Sequence, residues 1–365
     1  MKAAVIWKRY RKEWILALLV LLTLLFGSFP ALVEDWYSNG IYPYIGKFFR
    51  FIFGWLAFSI GDLLYGLATL FILYKLFRLI KKWRRKELTA LVWKTYGRKL
   101  LRLAMIVYLV FQWGWGLNYH RLGTAYQLSI EPGEYDLKEL KQLTDTLNNR
   151  LQFLTVEMQP ADSAVWENFD TLRKACVRSY QLSSQQFSFT KYQVVSVKKM
   201  MLGRMGGYGG FNGYLNPFTG EAQANADLPG FLLPFVICHE MAHQLGYAAE
   251  EEANMLGYLA GRSSQNPAIR YSVYHDLMWY ASREMYFIDS NQYHELMKSW
   301  PPLVRQHQLQ AKAYFESFKN PVQEWLNNWY DLYLKANSQE KGMRSYSYVI
   351  AWLIAYAKKY GWGKI

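Results

Sequence analysis

Two of the chain's six histidines stand four residues apart in the run His239-Glu240-Met241-Ala242-His243. On a helix, positions i and i+4 face the same way, one turn apart. Two imidazoles so placed can both reach one Zn²⁺ at about 2.0–2.1 Å. Glu240 points roughly 100° round the helix from His239. From there it can take a proton from a zinc-bound water, whose pKa the metal lowers toward about 7, without being a ligand itself. With six histidines and eighteen glutamates in 365 residues, the H-E-x-x-H spacing arises by chance about 0.005 times per chain. The spacing therefore predicts one Zn²⁺, held by His239 and His243, with Glu240 as general base.

A catalytic zinc site takes three protein ligands and leaves one position open. Gly246 follows three residues after His243 and suits the left-handed end of a helix. The chain turning back there brings Glu250, Glu251 and Glu252 within range. Three adjacent carboxylates on a helix spread over about 200°, so all three cannot face the metal. The ones that do not would sit on an acidic helix start, which the dipole favours. His275, Arg344 and Tyr346 are downstream candidates for the donor to the developing oxyanion, and Tyr346, in GMRSYSY between two helices, is the one carried forward.

The elements that must position these residues are mostly helical. Asp136 opens DLKELKQLTDTLNNRL, with leucines at helical spacing and Glu139 three residues on, a capping-box start. Residues 164–182 read as a second helix. Tyr192–Val197, YQVVSV, reads as a strand. The glycines of GRMGGYGGFNG do not form a phosphate loop, because no G-x-x-x-x-G-K-[ST] is present, and read as turns between short strands. Glu221–Asp227, EAQANAD, reads as an edge strand against which an extended peptide could pair. Val349–Ala357 is too short to cross a bilayer and reads as a buried helix. Cys176 and Cys238 form either one bridge or two buried thiols.

The formal net charge is +14, with a sequence pI near 9.4. Residues 1–117 hold 18 Lys and Arg against 5 Asp and Glu, whereas residues 118–365 hold 24 against 23. The basic excess lies among apolar segments, so it speaks for a lipid bilayer and not for nucleic acid. Three spans are expected, at about 14–33, 51–74 and 99–117. Basic clusters before the first and between the second and third place those loops in the cytoplasm. That divides the chain into a membrane anchor, 1–119, and a catalytic domain, 120–365, on the extracytoplasmic side. Asp62, inside the second expected span, either serves a function there, or caps a kink or pairs with a neighbouring helix.

The spacing Glu250-x-x-Ala253-Asn254 resembles the E-x-x-A-[DN] element of membrane-anchored gluzincins. The resemblance implies Glu250 as third ligand and Asn254 as its supporting neighbour, with Glu252 as the alternative. The wider pattern, NPFTGEAQAN, then CHEMAHQLG, then EAN behind three spans, resembles an uncharacterised bacterial family described as membrane-anchored and zincin-like. That resemblance implies an α-helical anchor in the inner membrane, joined to a mainly α, α+β zincin-like metallopeptidase domain with a small sheet. A peptide or protein is the expected substrate. A zinc hydrolase acting on another bond, or a structural zinc site without activity, are the alternatives.

Overall fold

The computed structural model describes residues 2–337, 339 and 348–365, and for residues 2–9 the backbone alone. The fold is mostly helical with one three-stranded sheet. We number the helices of ten or more residues: α1 Lys2–Gly27, α2 Tyr42–Phe53, α3 Ile60–Arg84, α4 Ala90–Gly114, α5 Leu137–Glu157, α6 Phe169–Gln186, α7 Leu233–Gln244, α8 Glu250–Arg262, α9 Pro267–Ile288, α10 Ser290–Ser299, α11 Pro302–Ser317, α12 Pro321–Ala336 and α13 Val349–Tyr360. The strands are β1 Val197–Lys199, β2 Gly213–Asn216 and β3 Glu221–Ala224.

The core surrounds α7 and α8. Leu140, Leu143, Leu147, Leu151 and Leu154 bury one stripe of α5 against α9. Its capping box forms as the sequence implies, with Glu139 N bonded to Asp136 at 2.8 Å and Asp136 N to Glu139 at 3.1 Å. The expected buried C-terminal helix is α13, which packs on α5 and α8. Cys176 and Cys238 are both buried free thiols.

Two readings of the sheet are corrected. Within YQVVSV only Val197, at its end, belongs to β1, and Val194 takes φ +57°. EAQANAD supplies β3, which is the central strand and not an edge: β1 lies parallel on one side and β2 antiparallel on the other. β2 and β3 form a hairpin through Pro217–Gly220, with Gly220 at φ +64°.

The expected spans shift as well. Among the described residues α3, Ile60–Arg84, is the one helix long and apolar enough by itself to cross a bilayer. The first expected span, 14–33, breaks after Gly27. Pro30 restarts the chain, since it disfavours helix in the residue before it, and the segments Tyr10–Gly27 and Pro30–Phe53 meet at 95°. As a bent pair they would make a second span. The second expected span, 51–74, is interrupted at 54–59 and resumes where Ser59 caps α3 through Asp62 N at 2.9 Å. The third, 99–117, overlaps α4 but runs three residues past its end at Gly114, and the first half of α4 carries Lys94, Arg98, Lys99 and Arg102. Arg98 and Arg102 pair with Glu13 of α1 at 2.9 and 3.0 Å.

Asp62 joins α3 to the sheet. It accepts hydrogen bonds from Met201 N at 2.7 Å and from the Tyr214 hydroxyl. Its partners are thus a loop and a strand, not a neighbouring helix.

Candidate metal centre

α7 begins with the apolar run LPFVIC and ends at Gln244. Gly246 then takes φ +86°. A side chain there would collide with the Tyr42 ring and Asn118, each under 3.0 Å away, so glycine is needed for space as well as for backbone. The turn brings the Tyr247 carbonyl back to within 2.7 Å of His243 Nδ1. α8 starts at Glu250 with Ala249 before it.

The turn is held from outside. Arg121 donates to Gly246 O at 3.0 Å, lies over the Tyr247 ring at 4.2 Å, and forms a buried pair with Glu34 at 2.7 Å. The last carbonyls of α7 are satisfied by side chains from the N-terminal segments. Trp115 Nε1 donates to His243 O at 3.1 Å, and Gln244 O accepts from Tyr42 at 3.1 Å and Arg50 at 2.8 Å. Helix ends leave carbonyls that need such partners.

His239, His243 and Glu250 converge, all three buried, with one potential ligand atom from each within 4.8 Å of the others. His239 Nε2 lies 3.2 Å and His243 Nε2 3.6 Å from Glu250 Oε2, and the two Nε2 atoms are 3.1 Å apart. Both Nδ1 atoms face carbonyl oxygens, Asn254 Oδ1 at 2.8 Å and Tyr247 O. A carbonyl can only accept, so each Nδ1 carries a proton and each Nε2 is the nitrogen turned inward toward Glu250. Such outer partners orient metal-binding histidines. Two imidazole nitrogens and one carboxylate oxygen, pre-aimed at a common point, are a donor set that suits Zn²⁺.

The three glutamates separate as helix geometry requires. Glu250 faces the imidazoles. Glu252 points away, and its Oε1 accepts from Thr124 N at 2.9 Å. Glu251 lies between them, half-buried. Burial pushes the Glu252 carboxyl up to about 7, against the pull of Arg121. Burial opposes ionisation of Glu250 too, yet the bonds from His239 and His243 outweigh it and hold its carboxyl well below the usual range. Burial would lower His243, but Glu250's hydrogen bond and charge raise it to about 9. A cation held by the three side chains would take the place of that shared proton.

Glu240 is not part of the converging group. It is buried, its Oε2 has no hydrogen-bond partner among the described residues, and burial pushes its carboxyl up to about 7 against the pull of both histidines. It faces a cavity of about 280 Å³ lined also by His239, Gly213, Asp276, Tyr280 and Tyr330. At Gly213 a Cβ would lie 2.8 Å from Glu240 Oε1, so β2 passes this close only because that residue is glycine. Asn212 O bonds to Asn225 N at 2.8 Å. Bonding alternates along an antiparallel ladder, so the N–H and C=O of Gly213 face away from β3, along the free edge.

Among the candidate donors, His275 does not line this cavity. It is buried in an aromatic cluster with Phe231, Tyr271 and His307. Arg344 and Tyr346 lie outside the described residues. Tyr330 of α12, which sequence reasoning passed over, donates to Glu250 Oε1 at 2.9 Å. No local pattern marks it, because it stands 80 positions from its partner. The hairpin that brings Gly213 to Glu240 did carry a signal: GYLN and EAQA flank a four-residue turn ending in glycine.

A family model described as a protein of unknown function, DUF3810, matches residues 37–354. No curated protein and no solved structure matches the chain.

Proposed function

The chain belongs to the DUF3810 family, whose function is unknown, and we propose from its site that it is a membrane-associated zinc metallopeptidase. The observation that carries this reading is the pairing of a convergent His239/His243/Glu250 group with a separate Glu240, whose Oε2 has no partner among the described residues and which lines the same cavity as His239. A purely structural zinc site closes all four positions and needs no base beside it.

When bound, Zn²⁺ supplies Lewis acidity to a substrate carbonyl and to water. His239, His243 and Glu250 would hold it, and Asn254 and the Tyr247 carbonyl keep the imidazoles in the required tautomer. Glu240 takes the proton of the attacking water at its free Oε2 and returns it to the leaving amine. The free edge of β2 at Gly213 offers one N–H and one C=O to an extended peptide. Tyr330, on turning its hydroxyl from Glu250 Oε1, is placed to donate to the charge that develops on the carbonyl oxygen, and Tyr346 stays a candidate for the same role. We place the spans in the bacterial inner membrane, with the basic segments around residues 2–12 and 75–102 toward the cytoplasm and the metal centre outside.

The test is metal analysis of the purified full chain beside digestion of a peptide library, with Glu240→Gln as control. Near-stoichiometric zinc and cleavage that disappears in Glu240→Gln are expected. Cleavage that survives Glu240→Gln would overturn the assignment, and zinc without cleavage of any peptide would move the activity to another bond. Reporter fusions after Lys86 and after Ile365 should report opposite compartments, and like signals would overturn the topology.

A further inference from the structure

The metal cavity lies beside the point where α3 leaves the folded domain. Glu221 of β3 accepts from Ile60 N at 3.1 Å and Gly61 N at 2.6 Å, and Asp62 accepts from Met201 N. These bonds fix the domain to the first turn of α3. From Leu63 onward the apolar side chains of α3 are exposed, Leu67 and Leu70 among them. If α3 spans, its first turn marks the bilayer surface.

An exposed apolar collar starts at that level. Met201, Leu202 and Met205 are exposed directly beside Asp62. The chain continues to Tyr208, whose ring meets Phe318 at 5.0 Å and whose carbonyl accepts from Asn320 at 2.9 Å. α12 begins at the next residue, Pro321. Its Val322, Trp325, Trp329 and Leu332 are all exposed and fall on one face at helical spacing. Its other face carries Asn327 and Tyr330 into the cavity. Tyr333 meets Tyr119, just past the end of α4, ring edge to ring face at 6.5 Å. α12 is thus tied at both ends to the places where apolar helices enter the domain. A soluble surface rarely exposes a contiguous apolar patch of this kind. A helix with tryptophans on one face and polar groups on the other suits the membrane interface.

We propose that α12 lies along the bilayer surface with Trp325 and Trp329 seated in the interface. The metal cavity then opens onto the membrane plane, and its substrate is a polypeptide segment held at that surface. This rests on the membrane reading above and extends it. Confinement to the plane raises the effective concentration of such a segment at the cavity mouth.

The test uses the full chain in phosphatidylcholine bilayers containing lipids with a nitroxide near the headgroup. Single cysteines are introduced at Trp325, at Leu67 on α3 and at exposed Lys141 on α5, and labelled with an environment-sensitive fluorophore. Cys176 and Cys238 are buried, so labelling reports the introduced thiol. Quenching at 325 and 67 but not at 141 is expected. Quenching at 67 without quenching at 325 overturns this inference and leaves the span intact. No quenching at 67 overturns both. In the same bilayers, Trp325→Glu with Trp329→Glu should slow cleavage of a lipid-anchored peptide by about tenfold and leave its unanchored counterpart unchanged. Equal loss on both peptides would overturn the substrate part.

Discussion

The fold buries two pairs of histidines, and they are built differently. His239 and His243 face a carboxylate, and each Nδ1 has its own carbonyl acceptor. His275 and His307 sit between α9 and α11 among aromatic rings. His307 stacks on Phe231 at 4.0 Å and reaches the Tyr271 hydroxyl at 2.9 Å, and both nitrogens of His275 lack a partner among the described residues. Among the described residues no carboxylate joins them in a group that could hold a metal. Proximity of imidazoles is therefore not what makes the first pair a candidate metal site. A negative charge and two oriented acceptors are what would let it hold a cation.

The most damaging way to test the contrast is to remove a ligand. His243→Ala and Glu250→Ala should each take zinc content from about one ion per chain to near none, because two protein ligands are too few for a catalytic zinc site. His307→Ala should keep its zinc. Glu252→Ala should keep it as well, since that carboxylate is bonded to Thr124 N. Full zinc in Glu250→Ala would erase the distinction between the clusters.

Next comes the base. Glu240→Gln should retain zinc while peptide hydrolysis falls by at least about 100-fold, the lower end of what a general base contributes. Loss of zinc with loss of activity would instead make Glu240 a structural part of the centre. A smaller effect is expected at Asn254, which touches no ligand atom and acts through His239 Nδ1. Asn254→Ala should weaken zinc affinity by about 10- to 100-fold, as removing an orienting partner does. Competition with a chromophoric chelator would measure it, and unchanged affinity would mean that His239 needs no such partner.

The contrast also shows what a sequence can carry. His239, Glu240 and His243 were legible because one helical turn fixes their relation. Helix geometry alone said that Glu250, Glu251 and Glu252 cannot all face one point; the choice of Glu250 with Asn254 one turn on came from the resemblance to the E-x-x-A-[DN] element. The supports that hold this turn in place were not legible: Arg121, Trp115, Tyr42 and Arg50 reach α7 and its exit from over a hundred positions away, and no local spacing encodes such pairs. Tyr330 was missed for the same reason. The strand misreadings have another cause. EAQANAD has the composition of an exposed edge, yet Glu221 is buried because it caps α3 and pairs with Lys198 at 2.6 Å, so tertiary context outweighed the local pattern. The spans were blurred at their ends because Pro30 and Ser59 set helix boundaries that hydropathy does not see.

The smallest expected effect belongs to the second pair and concerns stability alone. Burial lowers His275 to about 3, with His307 adding to the shift, and burial lowers His307 to about 4. In the unfolded chain a histidine titrates near 6.5. The folded state thus keeps both rings neutral while the unfolded state binds protons below about pH 6.5, so stability is fully present above that value and is lost as pH falls toward 4 and 3. Between pH 7 and pH 5 the buried His275 alone should cost about 2 kcal/mol. His275→Phe removes that term, and it deletes no hydrogen bond because both ring nitrogens lack partners. Its neighbours Phe231 and Tyr271 already pack ring against ring, so a phenyl group keeps the shape of the site. Denaturant unfolding of wild type and His275→Phe at the two pH values measures the difference. The variant should lose about 2 kcal/mol less than wild type, with zinc content unchanged. Equal losses would mean that His275 is not held neutral. A parallel loss of zinc would mean that the two clusters are coupled through α7 and α9 rather than independent.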